Sequence, residues 1–257
     1  MHKHIKLIVE DNIATISITR PEAFNALSRD IVDALDKVIE DIKGNTDIHV
    51  LVILNEKHFA AGADIKQMSV CNPKEAREFI FTDTYNKLSQ LDIPSIAGVN
   101  GYTFGGGLEL ALCCDFRITT ASASIGLTEL NLGIMPGAGG TVRLSKLIGP
   151  SRAKEMILTS KVIDGTEAER IGLSNKVVED DEALNEAVYK MAKKLSKKSR
   201  VSIKAALSSI ENALESTDVI AATKFEADLW VSLFDSYDQK EGMKAFLEKR
   251  KPVFKNK

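Results

Sequence analysis

The sequence is short of most features that mark a specialised class. Its 257 residues include one tryptophan, three cysteines and four histidines. Cys113 and Cys114 are adjacent, which is poor geometry for a mutual disulfide. A disulfide-stapled scaffold is excluded, and small buried thiols in a reducing compartment are expected. His2, His4, His49 and His58 offer no metal-binding pair, so no metal site is expected. No uninterrupted apolar run approaches membrane-spanning length. The opening "MHKHIKLIVEDNIATISITR" alternates like strands and lacks the apolar core and cleavage site of a signal peptide. The expectation is a cytoplasmic protein without a membrane partner. An excess of one charge is also lacking: 34 Lys and Arg face 36 Asp and Glu, a net charge of −2. That balance gives no electrostatic reason to expect nucleic acid.

Signature motifs are missing too. There is no G-x-x-x-x-G-K-[ST], and "GAGGTV" has Val142 where a dinucleotide fingerprint needs its last glycine. G-x-S-x-G is absent, and no histidine lies in a glycine-rich segment. Nucleotide-phosphate loops and nucleophilic triads are thereby set aside.

What is present reads as a mixed α/β layered core. "HIKLIVED" and "NIATISITR" alternate as two strands joined at Asp11–Asn12. "NALSRDIVDALDKVIEDIKG" has helical spacing at Ile31, Leu35, Val38 and Ile42, with Ser28 as cap and Gly44 at the close. "HVLVILN" and "PSIAGVN" are short apolar strands of the kind buried on both faces. "NPKEAREFIFTDTYNKLSQLD" is predicted as one helix, "GGGLELALCC" as another and "DFRITTASASIGL" as a strand. From about residue 150 the chain turns mostly helical, and an amphipathic segment near the end carries Trp230. The expected division is a core over 1–195 and a C-terminal helical oligomerisation or lid region over 196–257. The clusters "KKLSKKS" and "EKRKP" read as solvated helix faces.

Three loops hold residues that packing alone does not require: "FAAGADI" (59–65), "GYTFGGGLE" (101–109) and "GLTELNLGIMPGAGGTVR" (126–143). Gly105–Gly107 open a helix, where the first N–H groups lack partners and the macrodipole is positive. With a second N–H from "AAGAD" they would form an oxyanion hole. Tight helix–strand packing would also call for glycine, and both readings stand at this point. Glu109 and Glu129 lie among apolar neighbours, where burial raises a carboxyl pKa. As a coupled pair they suit acid/base work on one water. The competing reading pairs each with an arginine, such as Arg117 or Arg143.

"FAAGADIKQM", "NGYTFGGGLELALCCD" and "LTELNLGIMPGAGGTVRL", in that order, resemble the enoyl-CoA hydratase/isomerase (crotonase) superfamily. The likeness runs from "ITRPEAFNALS" to "EGMKAFLEKRKPVF". It implies a crotonase-like ββα spiral core with a C-terminal helical region, and a trimer or dimer of trimers. The implied substrate is a coenzyme A thioester; no separate cofactor or metal is implied. By this likeness Ala63 and Gly106 form the oxyanion hole, Glu109 activates water and Glu129 protonates the α-carbon. Ala61, Ala63, Asp64, Ile65, Lys66, Gly106, Leu127 and Gly137 are the implied substrate and CoA contacts. Hydratases carry both glutamates and many isomerases keep the second, so a trans-2-enoyl-CoA hydratase is expected. Leu127 stands where many hydratases have Gln, a pattern that resembles the methylglutaconyl-CoA hydratase branch. The alternatives are that branched-chain hydratase, an isomerase, or a non-catalytic CoA-thioester or RNA binder.

Overall fold

The computed structural model describes residues 3–257. Strands β1 (Ile5–Glu10) and β2 (Ile13–Ile18) form an antiparallel hairpin. Asp11 and Asn12 take φ of 50° and 63°, the two left-handed positions that a tight hairpin turn demands. Helix α1 (Arg29–Gly44) returns the chain to β3 (Val50–Leu54). Short helices α2 (Ile65–Met68), α3 (Pro73–Phe79) and α4 (Thr82–Ser89) lead to β4 (Ser95–Val99). Next come β5 (Tyr102–Phe104), α5 (Gly106–Leu112), β6 (Phe116–Thr120) and β7 (Ser124–Gly126). Helices α6 (Gly140–Ile148), α7 (Pro150–Leu158) and α8 (Gly165–Arg170) precede β8 (Lys176–Val178) and α9 (Asp181–Leu195). The chain ends with α10 (Arg200–Glu215), α11 (Val219–Ser232) and α12 (Tyr237–Leu247).

The main sheet runs β1-β2-β3-β4-β6-β8, parallel from β2 onward. Alternation splits its two faces. Val50, Val52, Ile96 and Ile118 pack on Leu184 and Val188 of α9. Leu51, Ile53, Ala97 and Val99 enter the larger core with α1, α4 and α5. A second, two-stranded parallel sheet pairs β5 with β7. Single bridges stitch the loop after β3 to its surroundings, Ala60 to Thr103 and Ala63 to Leu27. That loop and the first turn of α5 therefore share one corner of the fold.

Several expectations need correction. The helix foreseen across 72–92 is two, because Ile80 is extended with ψ of 145°. Arg29 of α1 donates to the Ile80 carbonyl at 2.9 Å, and the break turns Phe81 into the core. "DFRITTASASIGL" is two strands in two different sheets, β6 and β7. In α1 the buried set is Ile31, Val32, Leu35, Ile39 and Ile42, with Val38 half-buried. The Ser28 hydroxyl donates to Asp30 rather than capping the helix. Two thiols are buried as expected, but Cys71 is half-exposed. The final segment is not amphipathic throughout: α11 buries no residue, and Val219, Ile220, Trp230 and Val231 all face outward.

Residues 196–257 hold α10 to α12. The tail after α12 is tied down by carboxylates. Asp238 accepts from the N–H groups of Lys255 and Asn256, and Glu241 holds Arg250 through both guanidinium arms. Asn256 in turn bonds His49 at 3.0 Å, joining the tail to the start of β3.

A tight seat lies between α5 and the loop after β3. A Cβ on Gly107 would meet the Ala60 carbonyl oxygen at 2.1 Å. Gly107→Ala is expected to cost about 1–3 kcal/mol or more, read from denaturant melts; an unchanged midpoint would contradict this seating.

Candidate active site

The site grows from that corner. Gly105 takes φ of 49°, a left-handed turn, and donates its N–H to Gly126 O at 3.0 Å. A Cβ there would lie 3.0 Å from Glu129 Oε1. Gly106 then begins α5. A Cβ on it would sit 3.2 Å from the Phe81 ring and 3.7 Å from the Ala63 nitrogen. The N–H groups of Ala63 and Gly106 are thus neighbours. Neither has a hydrogen-bond acceptor among the described residues. The two readings of the glycine run divide by residue. Gly107 serves close packing, while Gly105 and Gly106 leave a bare helix start.

Glu109 lies one turn into α5 and is 3% exposed. Its Oε1 accepts from Ala138 N–H at 2.7 Å and Gly140 N–H at 2.8 Å. Burial pushes its pKa up; those two N–H groups and the positive field of Arg143 oppose the rise. Glu129 opens a short 3-10 turn, Glu129–Leu132, after β7. Its Oε2 is buried with no hydrogen-bond partner. Burial first, and then the charge of Glu109, push its pKa up to about 7. The two carboxyls thus share an apolar site with different partners.

The arginine alternative does not hold. Arg117 donates to the carbonyls of Leu173, Ala111, Cys114 and Asp115. Arg143 donates to Ala138 O, Asn86 Oδ1 and Ser89 Oγ. Neither forms an ion pair with Glu109 or Glu129.

Both glutamates line a cavity of about 390 Å³. Ala61, Ala63, Ile65, Gly106 and Gly137 line it as well, and Met68, Phe79, Ile80 and Met135 add an apolar wall. Asp64, Lys66 and Leu127 do not. Asp64 caps α2 through the N–H groups of Lys66 and Gln67 and pairs with Arg20 at 2.8 Å. Burial would raise its pKa, but Arg20 and the capping N–H groups bring it below the ordinary value. Lys66 is exposed. Leu127 is fully buried and packs against Gly140, behind the Glu109 carboxylate. A larger groove of about 1500 Å³ lies between α9, α10 and the tail, lined by Lys193, Lys194, Lys197 and Lys198. It holds neither glutamate nor the glycine turn. Among the described residues no three His, Cys, Asp or Glu converge as a metal site, and no helix is long and apolar enough to cross a membrane.

The enoyl-CoA hydratase/isomerase family pattern matches residues 9–257. The chain belongs to that family. It is 40% identical over 260 residues to a crotonyl-CoA hydratase of Syntrophomonas wolfei, covering 100% of this chain and 99% of that protein. It is 40% identical over 253 residues to a short-chain-enoyl-CoA hydratase of Clostridium acetobutylicum, covering 96% of each. The crystal structure of an enoyl-CoA hydratase from Bacillus anthracis superposes with a TM-score of 0.95 at 35% identity, covering 99% of this chain and 100% of that one. The fold is therefore the crotonase fold that the three motifs imply.

Sequence reasoning missed the cradle of Glu109. Its signal was "GAGG", whose small residues let the Ala138 and Gly140 backbone approach a side chain closely. It also missed the apolar wall, supplied largely by the break at Ile80.

The raised pKa of Glu129 has a consequence for stability. The folded value, about 7, lies above the ordinary 4.5, so the folded state holds an extra proton between them. Stability from this group is present at low pH and is lost as pH rises through about 7. Glu129→Gln is uncharged throughout. It is expected to melt above the parent at pH 8 and to lose most of that advantage at pH 5. Thermal melts at both pH values check this; an equal offset at both would contradict it.

Proposed function

We propose that this chain adds water reversibly across the trans-2 double bond of a short-chain enoyl-CoA, giving a 3-hydroxyacyl-CoA. One observation carries the reading. One buried and one half-buried carboxyl, differently partnered, and two adjacent acceptor-free N–H groups face the same small cavity.

In this mechanism the thioester carbonyl accepts hydrogen bonds from Ala63 and Gly106. That draws electron density from the β-carbon. The attacking water lies between Glu109 and Glu129. Glu109 takes one proton from it, and the oxygen bonds to the β-carbon. The π electrons move through the α-carbon to the carbonyl oxygen, whose growing negative charge the two N–H groups stabilise. Glu129 then delivers its proton to the α-carbon, and the carbonyl re-forms. The glutamates exchange one proton to reset. Atoms and electrons balance without an oxidant, a reductant or a metal.

The partners of each carboxyl support the division of roles. Two N–H groups on Glu109 Oε1 favour its ionised form, as a base requires. Glu129, with a bare Oε2 and a pKa near 7, suits a proton donor at neutral pH. A short acyl group fits a cavity of this size closed by Met68, Phe79, Ile80 and Met135. The relatives' names, crotonyl-CoA hydratase and short-chain-enoyl-CoA hydratase, support the same chain length. The compartment we assign is the cytoplasm, where free thiols such as Cys71, Cys113 and Cys114 stay reduced. The assembly we assign is a homo-oligomer, a trimer or dimer of trimers. It would cover the outward apolar residues Ile210, Leu214, Ile220, Trp230 and Val231 of α10 and α11.

Crotonyl-CoA turnover, followed by loss of conjugated absorbance, tests the activity. Glu109→Gln and Glu129→Gln are each expected to lower kcat by about 100- to 10,000-fold. Acyl-CoA affinity in a binding titration should change little. Near-normal turnover in either variant would remove its assigned role. A parent protein that migrates the double bond of a 3-enoyl-CoA but leaves crotonyl-CoA untouched would replace the hydratase reading with an isomerase. Ile220→Asp combined with Trp230→Glu is expected to shift sedimentation toward the monomer; an unchanged assembly would place the contact elsewhere.

A further inference from the structure

Beneath the Ala63–Gly106 pair lies a side chain that the proposed mechanism does not use. Tyr85 is fully buried, 0% exposed, on α4. Its hydroxyl donates to the Gly106 carbonyl at 2.8 Å. A helical carbonyl at this position already has a partner one turn on, so the tyrosine bond is an addition. It reaches Gly106 from a different element. Phe81, the residue just before α4 and four before Tyr85, packs its ring under the same glycine. The two rings touch, with centroids 5.7 Å apart. Gly106 is thus gripped twice from below, by a ring at its Cα and by a hydroxyl at its carbonyl.

The grip falls where the backbone has least support of its own. Gly105, immediately before, holds φ of 49° and ψ of −123°, and lacks a side chain to fix it. An N–H group at a helix start has no ladder bond to aim it. Its direction follows from how the first residue is seated. α4 is in turn moored to α1: Thr84 donates to Asp36 at 3.0 Å and Lys87 pairs with Asp36 at 2.9 Å. Asp36 thus holds α4 at two points, so that loss of the Thr84 bond leaves the Lys87 pair in place.

We propose that Tyr85 is a positioning residue for the reaction. Its hydroxyl fixes the orientation of Gly106, so that the Gly106 N–H points at the thioester oxygen as charge develops there. The inference rests on the assignment of Ala63 and Gly106 as the oxyanion donors. Tyr85 does not line the cavity. It acts through the backbone of the residue that does.

The test is Tyr85→Phe, which keeps the ring and removes the hydroxyl. Donors that matter more in the transition state than in the ground state appear in kcat rather than KM. With crotonyl-CoA, kcat is expected to fall about tenfold while KM stays within about twofold, a fraction of the loss on deleting an oxyanion donor outright. A second readout is the absorbance of a bound cinnamoyl thioester of CoA. Carbonyl polarisation shifts it to the red in the parent, and the shift should shrink in the variant. Thr84→Val is the control. It loosens α4 from α1 without touching Gly106, so its melting temperature should fall while kcat and the red shift hold. The inference is overturned if Tyr85→Phe lowers only the melting temperature. It is equally overturned if Thr84→Val lowers kcat as much as Tyr85→Phe does. A parent protein that binds the cinnamoyl thioester without any red shift would instead refute the oxyanion assignment itself.

Discussion

The first turn of α5 lies against the loop after β3 with no room for a side chain between them. Gly107 meets the Ala60 carbonyl, and that contact sets the depth at which the helix begins. Had α5 been held further off, Ala63 and Gly106 would be separated, and two acceptor-free N–H groups would aim at different points. Placement of Glu109 follows from the same seat, because it is one turn along the same helix. The bridges Ala60–Thr103 and Ala63–Leu27 hold the other side of the contact. One backbone approach thus fixes three polar groups relative to one another.

Two carboxyls of the same chemistry then differ through what surrounds them. Both are desolvated, and burial alone would push both toward the neutral form. Glu109 receives two short N–H bonds, from Ala138 and from Gly140 at the start of α6, and Glu129 Oε2 receives none. The charge of Glu109 adds to the burial of Glu129, so the proton favours Glu129 over Glu109. Backbone donors were the means available for this. An arginine beside either group would have held it ionised. The two nearby arginines instead donate to backbone carbonyls and to the side chains of Asn86 and Ser89.

Much of this was legible in the residues. Asp11–Asn12 between alternating runs marked the hairpin, and the apolar strands around 50–54 and 95–99 marked the buried sheet. The glycine run, the two glutamates and "AGAD" marked the site, because each is expensive for a core that only packs. What stayed hidden depends on partners distant in sequence. The break at Ile80 follows from Arg29, about fifty residues away, taking the carbonyl that would have continued the helix. The strand β8 has three residues, too few to show a period, and pairs because β6 presents an open edge. Leu127, read from its neighbours in the motif, points into the core behind Glu109 rather than into the cavity, so it carries no argument about acyl branching. In a three-residue strand such as β7 the side-chain direction flips with each residue. An offset of one position decides which face is reached.

The division between α4 and α5 follows from the same economy of backbone. A site that relies on main-chain N–H groups cannot adjust them by changing side chains at the donors, since Gly106 has none to change. Adjustment must come from whatever presses on the backbone from outside. Here that is Phe81, at the entry to α4, and Tyr85 within it, which the extended residue Ile80 turns toward the glycine. The break that defeats a simple helical reading of 72–92 therefore has a use. It puts Ile80 and Phe79 into the cavity wall and lets α4 start afresh beneath Gly106. A continuous helix has one fixed direction and could not present one set of residues to the acyl cavity and another to the glycine turn below it.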